Sequence, residues 1–321
     1  MKTALVTGIT GQDGTYLAEH LLRLGYDVFG LIRGQNNPKR PYVEKLLPDV
    51  QLIEGDLLDQ CSLIRAVESS YPDEVYNLGA ISFVPYSWDQ AEVVSEVTGM
   101  GVLRMLEAIR IVGKDRIKFY QASSSEQWGK VAEVPQTEKT PFHPRSPYGV
   151  AKTFGHYITV NYRESHGMFA CSGILANHES PRRGYEFVTR KISSAVARIS
   201  LGKQNELLLG NLSARRDWGH AKDYVAAMHL ILQATEPDDY AVGTGNLHSV
   251  EDFCRVAFSH VGLNWQDYVK VDPRFIRPAE VDILLVNPAK IKQKTGWEPL
   301  VPFNKLVAEM VENDIRIESR A

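Results

Sequence analysis

Ser124, Glu126, Tyr148 and Lys152 stand at offsets that let four side chains work on one substrate. Tyr148 and Lys152 are one helical turn apart and share a face. An ammonium beside a phenol stabilises the phenolate and is expected to lower the phenol pKa, as a general base near neutral pH requires. With the hydroxyl of Ser124 arriving from a strand end, the pair can take a proton from an alcohol while a nicotinamide takes the hydride. Glu126 is surplus to that reaction. A carboxylate there can remove a second proton, from carbon, and this points to a sugar dehydratase.

Such a set needs strands and helices in a fixed order, and the first half of the chain supplies it. Apolar, β-branched runs at 3–7, 27–32, 50–53, 74–78, 117–122 and 168–175 alternate with segments of helical periodicity, as a parallel sheet with crossover helices requires. The spacing predicts a leucine-faced helix over 17–24 stopped by Gly25, one long helix over 88–112, and a helix carrying Tyr148 that starts after Pro144-Arg145-Ser146-Pro147. Beyond residue 176 the rhythm breaks into loops, helices and short strands. The expected architecture is α/β: a Rossmann-type doubly wound parallel sheet over 1–176, completed by a segment near 210–245. A smaller mixed α/β substrate lobe is expected over 177–321.

The first strand ends in Gly8-Ile9-Thr10-Gly11-Gln12-Asp13-Gly14. Glycines there let the backbone approach a pyrophosphate at a helix N-terminus. The second strand ends in Arg33-Gly34 with no acid before Glu44, which favours NADP over NAD, because an arginine can hold a 2′-phosphate that a carboxylate would repel. Topology places Asp56 and Leu57 near the adenine, and Leu78, Gly79, Ala80 and Ser82 beside the nicotinamide ribose.

Composition narrows the field. The 321 residues are 44% apolar and 23% charged with net charge −3 and no block of like charge, so nucleic acid and anionic membrane find no footprint. No leader peptide or spanning segment is visible, and a cytoplasmic location is expected. Cys61, Cys171 and Cys254 read as separate buried thiols, and no Cys/His/acid spacing suggests a metal.

The glycine turn, the strand-end serine and Tyr148-x-x-x-Lys152 resemble the extended short-chain dehydrogenase/reductases. Ser124-Ser125-Glu126 resembles the nucleotide-sugar 4,6-dehydratases, where epimerising members carry small residues. Asn161-Tyr162-Arg163-Glu164, Asn177-His178-Glu179-Ser180-Pro181-Arg182-Arg183-Gly184, Arg216-Asp217-Trp218-Gly219-His220 and Arg277-Pro278-Ala279-Glu280 extend the match along nearly the whole chain. Together they are similar to the GDP-mannose 4,6-dehydratase family. The resemblance implies GDP-mannose as substrate, a retained NADP, and a homodimer or homotetramer. It gives Tyr148 the C4 hydroxyl proton, Glu126 the C5 proton, and Ser124 or Glu126 the proton for the departing C6 hydroxyl. It places Asn177 and Lys191 at the nucleotide diphosphate, Arg277 and Glu280 at the ribose, Ser82 at the sugar, and His178 and Arg183 at the cofactor. Arg216 is a further candidate for the phosphates. Gln127 and Trp128 depart from the family pattern, as does Ala176, and these departures bear on sugar preference. A 4-epimerase or 4-keto reductase, a dehydratase of another nucleotide sugar, and a non-catalytic NADP sensor stay open as alternatives. The first of these has no use for Glu126.

Overall fold

The structure is a computed structural model that describes residues 1–34, 36–113, 115–275, 279, 281 and 283–320. Its strands are β1 (Thr3–Thr7), β2 (Asp27–Ile32), β3 (Gln51–Glu54), β4 (Glu74–Asn77), β5 (Lys118–Ser124), β6 (Ala170–Leu175), β7 (Asn177–Glu179), β8 (Leu207–Leu209), β9 (Arg215–His220), β10 (Asp239–Val242), β11 (Leu247–Ser249), β12 (Val269–Val271) and β13 (Ile283–Leu284). Seven form one parallel sheet in the order β3-β2-β1-β4-β5-β6-β10. Strands of such a sheet are covered on both faces and so need apolar side chains on both. β6 is buried along its whole length, and Leu5, Val6, Tyr76, Phe119 and Ile174 are fully enclosed.

The strand order reverses between β1 and β4, and an open α/β sheet binds its ligand at the carboxyl ends beside that point. The helix Gln12–Arg23 opens directly behind β1, and the helix Pro147–His166 crosses from β5 to β6. Ser146 caps the latter through the N–H of Gly149 at 3.0 Å, and Pro147 occupies its first turn.

The expected single helix over 88–112 is broken. Short helical pieces cover Tyr86–Asp89 and Ala91–Ser95 with Gln90 non-helical between them, a π turn follows at Glu96–Met100, and a regular helix runs over Gly101–Gly113. Apolar periodicity reports which face is buried but not a local change of pitch. The wide turn places buried Thr98 so that its hydroxyl accepts from the N–H of Ile81 at 3.1 Å, just past the end of β4.

The second half supplies β7, β11 and β13 against β9, and β8 against β12. The helices Val188–Ser200, Val250–His260 and Phe303–Glu318 close a separate core around Trp218, Phe253 and Met310. Within it, Arg190 and Asp314 form a buried ion pair at 2.7 Å. Cys171 and Cys254 are buried, whereas Cys61 is exposed in the first turn of the helix Gln60–Ser70, which corrects the expectation of three buried thiols.

Candidate active site

β5 ends at Ser124 and turns at once into a 3₁₀ turn, Ser125–Gln127, that puts Glu126 against the helix carrying Tyr148. The turn is held by a reciprocal cap. The Ser124 hydroxyl accepts from the Glu126 N–H at 3.3 Å, and the Gln127 side-chain oxygen accepts from the Ser124 N–H at 2.8 Å. The same amide of Gln127, fully buried, donates to the Lys152 carbonyl at 3.3 Å and so ties the strand end to the helix. Gly149 makes the close approach possible: a Cβ there would sit 2.8 Å from the Glu126 carbonyl oxygen. Ser124 and Glu126 both act on the Tyr148 phenol, Ser124 lowering and Glu126 raising its pKa, so the three stand close together.

Lys152 is buried, and its Nζ donates to the carbonyl of Ala122 at 2.7 Å. That carbonyl also accepts from the side chain of Gln121 at 3.0 Å, and Gln121 is joined through Asn77 (2.8 Å) to Thr7 (2.7 Å). A buried polar chain therefore runs across the carboxyl ends of β1, β4 and β5 and fixes the strand end that Lys152 grips. Sequence reading passed over it, although a glutamine inside Phe119-Tyr120-Gln121-Ala122 was the available signal.

Electrostatics depart from expectation. Burial pushes Tyr148 up to about 12; the Ser124 hydrogen bond opposes this and the Glu126 carboxylate adds to it. Burial pushes Lys152 down to about 8 against the pull of Asp13. The ammonium lies 5.8 Å from the centre of the Tyr148 ring, bonded to a carbonyl, and does not overcome desolvation of the phenol. The lowered phenol pKa expected from the Tyr-x-x-x-Lys spacing is therefore not a property of the protein groups alone.

The glycine turn has the shape a dinucleotide needs. A Cβ on Gly14 would lie 2.3 Å from the Gly8 carbonyl oxygen, so no side chain can separate the turn from the N-terminus of the helix Gln12–Arg23. A helix N-terminus carries N–H groups without intrahelical partners, so Gly8, Thr10, Gly11 and Gly14 stand where an anionic pyrophosphate could be held. Gln12 and Asp13 face the second lobe. The Gln12 amide donates to Asp13 and to the His178 carbonyl, both at 3.0 Å, and accepts from Ser180 at 2.7 Å. Asp13 meets the His178 ring at 2.8 Å. At the far end of the crevice Arg33 is exposed after β2, and the acid at the end of β3, Glu54, is paired with Arg40 at 3.2 Å. Asp56 Oδ1 accepts from the Leu58 N–H at 3.0 Å, Leu57 is buried, and Leu78, Gly79 and Ala80 follow β4 half-exposed, with Ser82 exposed.

In the second lobe Asn177 is half-buried at the start of β7. Arg183 lies over the Phe187 ring at 3.5 Å, its Nε 3.0 Å from Glu179 but not aligned for a hydrogen bond. The Lys191 ammonium stands 3.7 Å from the centre of the Phe275 ring, and burial lowers its pKa while Asp272 opposes. Arg216 is buried and donates to the Arg215 carbonyl at 2.9 Å. The remaining two candidates, Arg277 and Glu280, lie outside the described residues.

A family model described as GDP-mannose 4,6 dehydratase matches residues 5–310. The chain belongs to that family. GDP-mannose 4,6 dehydratase 2 of Arabidopsis thaliana is 51% identical over 330 residues, covering 99% of this chain and 88% of the relative. The human GDP-mannose 4,6 dehydratase is 48% identical, with 98% of this chain and 92% of the relative covered. UDP-glucose 4-epimerase of Thermus thermophilus, solved with NAD, superposes with a TM-score of 0.82 at 28% identity, over 97% of this chain and 98% of that one. dTDP-glucose 4,6-dehydratase of Bacillus anthracis, also with NAD, shares the fold at a TM-score of 0.85 and 20% identity over 99% and 98% of the two chains.

This chain is thus an enzyme of the GDP-mannose 4,6 dehydratase family built on the fold its sequence led us to expect. The three positions expected from the sequence to bear on sugar preference fall in the interior. Gln127, Trp128 and Ala176 are all buried. Gln127 stitches the Ser124 turn to the helix, Trp128 packs in the core beside the sheet, and Ala176 offers its carbonyl to the His178 ring at 2.8 Å. Gln127 and Ala176 therefore act on how the site is supported. No described helix of this family member is long and apolar enough to cross a membrane.

Proposed function

We propose that the chain converts GDP-mannose to GDP-4-keto-6-deoxymannose, with NADP held in the crevice between β1 and β4. The observation that carries the reading is a carboxylate, Glu126, fixed in the same turn as Ser124 and within the field of Tyr148. One base serves the alcohol and another the carbon acid. Membership of the family supplies the substrate class.

In this reading Tyr148 removes the proton from the C4 hydroxyl while Ser124 hydrogen-bonds the C4 oxygen. The C4 ketone acidifies the C5 proton, which Glu126 then removes, and Glu126 or Ser124 returns a proton to the C6 hydroxyl as it leaves as water. C5 takes back a proton from the solvent-exchanged acid as C6 is reduced, so the two protons removed from C4–OH and C5 are both returned. When bound, NADP supplies the hydride acceptor at C4, the donor for C6, and a positive ring beside the phenol that burial has raised. Lys152 orients this end of the site through the Ala122 carbonyl. Gly8, Thr10, Gly11, Gln12, Asp13 and Gly14 hold or border the pyrophosphate, Arg33 the 2′-phosphate, Asp56 and Leu57 the adenine, and Leu78 to Ser82 the nicotinamide ribose. Asn177, Lys191 and Arg216 serve the nucleotide diphosphate, with Arg277 and Glu280 at its ribose, in an enzyme that works as a dimer or tetramer.

The test is to mix the purified protein with GDP-mannose and no added cofactor, then weigh the sugar nucleotide by mass spectrometry. Loss of one water supports the reading. An unchanged mass alongside turnover of another nucleotide sugar transfers the substrate assignment, and epimerisation without water loss removes the role given to Glu126.

A further inference from the structure

The glycine turn contains a charge in an awkward place. Asp13 sits in the first turn of the helix whose N-terminus would receive a pyrophosphate, and a free carboxylate there would repel that ligand. In the structure Asp13 is not free. His178, at the centre of β7 in the second lobe, lies 2.8 Å from Asp13 Oδ2 through Nε2 and 2.8 Å from the Ala176 carbonyl through Nδ1. A carboxylate and a backbone carbonyl can only accept, so both ring nitrogens must carry a proton and the ring is an imidazolium. The other Asp13 oxygen accepts from Gln12. The ring stacks on Tyr224 at 4.4 Å with 21° between planes, which holds it in register.

We propose that His178 is a built-in counter-ion: it neutralises Asp13 so that the glycine turn can take the cofactor's pyrophosphate, and it thereby makes cofactor retention depend on docking of the Asn177–Ser180 segment. The proposal rests on the dinucleotide reading above and adds to it. His178 is a positioning residue here, acting on the cofactor through Asp13. The groups that face the pair are Gln12 beside Asp13, Arg183 from the loop after β7, Tyr224 from the helix Ala221–Leu232, and Lys152, Tyr148 and Tyr120 across the crevice from Asp13. Burial and Arg183 work against the imidazolium, while Asp13 and the Ala176 carbonyl outweigh them and raise its pKa; Asp13 is correspondingly lowered.

The test is a double-mutant cycle read by NADPH titration, with thermal unfolding as a check that each variant is folded. His178→Ala leaves Asp13 unpaired and is expected to weaken NADPH by roughly tenfold or more. Asp13→Asn removes the repelling charge and is expected to bind NADPH more tightly than His178→Ala does. The double variant should bind better than His178→Ala alone, a recovery that loss of packing against Tyr224 cannot produce. A double variant no better than His178→Ala, or a His178→Ala protein with parental affinity, overturns the proposal. If His178→Ala does not fold, nitrogen NMR of the ring in the parent decides: two protonated nitrogens at neutral pH support it, and one bare nitrogen refutes it. A parent protein that takes up no dinucleotide fails the underlying reading, while the NMR result still reports on the ion pair.

Discussion

Two nitrogen bases, Lys152 buried and His178 partly so, flank the crevice, and folding treats them in opposite ways. Lys152, on the helix after β5, faces a neutral carbonyl and is pushed down to about 8. His178, on β7, faces a carboxylate and is pushed up. Burial opposes the charge in both, so the partner decides. A carbonyl leaves a cation that can give up its proton near working pH, whereas a carboxylate holds the proton on its partner to higher pH than an ordinary histidine. The first arrangement suits a group that works beside the chemistry, and the second a group that holds structure and charge constant around it.

The comparison breaks most visibly at Lys152. Lys152→Met is expected to lower kcat by about 10²-fold, because the strand end that presents Ser124 loses the ammonium that holds it. It should leave the protein at least as stable at neutral pH, since it removes a desolvated cation. Steady-state rates and thermal unfolding check both halves; a variant that is active, or markedly less stable, contradicts the account.

Gln127→Leu attacks the support. It strips the part-buried Ser124 N–H of its partner and unties the strand end from the helix at Lys152, for a stability loss of about 1–3 kcal/mol. Because no binding contact is assigned to Gln127, kcat should fall while KM holds. An equal rise in KM would make Gln127 part of the substrate pocket after all.

Arg33→Ala tests a third cation, one left in solvent. It should narrow the preference for NADP over NAD by about tenfold, the worth of one charge-assisted hydrogen bond, with turnover on bound cofactor unchanged. Equal titrations with both dinucleotides before and after the change would remove Arg33 from the site.

The smallest effect is on stability against pH, and its sign differs between the two bases. Lys152 keeps its proton to 10.5 when unfolded but loses it near 8 when folded, so it contributes a penalty that fades as pH rises through that window. His178 is raised above 6.5, so the stability of its ion pair is complete below 6.5 and is lost as pH rises through the folded value. Unfolding of the parent and of Asp13→Asn across the neutral-to-alkaline range should show the His178 component only in the parent.

The same contrast explains what was legible in the sequence. Ser124, Tyr148 and Lys152 were readable because a helical turn and a strand end are local, and the alternation that built the parallel sheet is local too. Asp13 and His178 each stood inside a recognisable stretch, yet they are 165 positions apart, and only the docking of β7 on the glycine turn pairs them. The break at Gln90 and the π turn after it hid behind continuous apolar periodicity. The expectation of a lowered phenol pKa failed for a related reason: spacing reports that Lys152 is near Tyr148, but not that its ammonium is bonded to Ala122.

Two different bases act in succession, first Tyr148 and then Glu126, and Glu126→Gln separates their steps. The variant and the parent would be mixed with GDP-mannose, quenched with acid at short times, and the sugar nucleotides weighed. Glu126→Gln should still oxidise the sugar, in an amount no greater than the enzyme present, without loss of water, whereas Tyr148→Phe should neither oxidise nor dehydrate it. Dehydrated product formed by Glu126→Gln at the parental rate would contradict that succession.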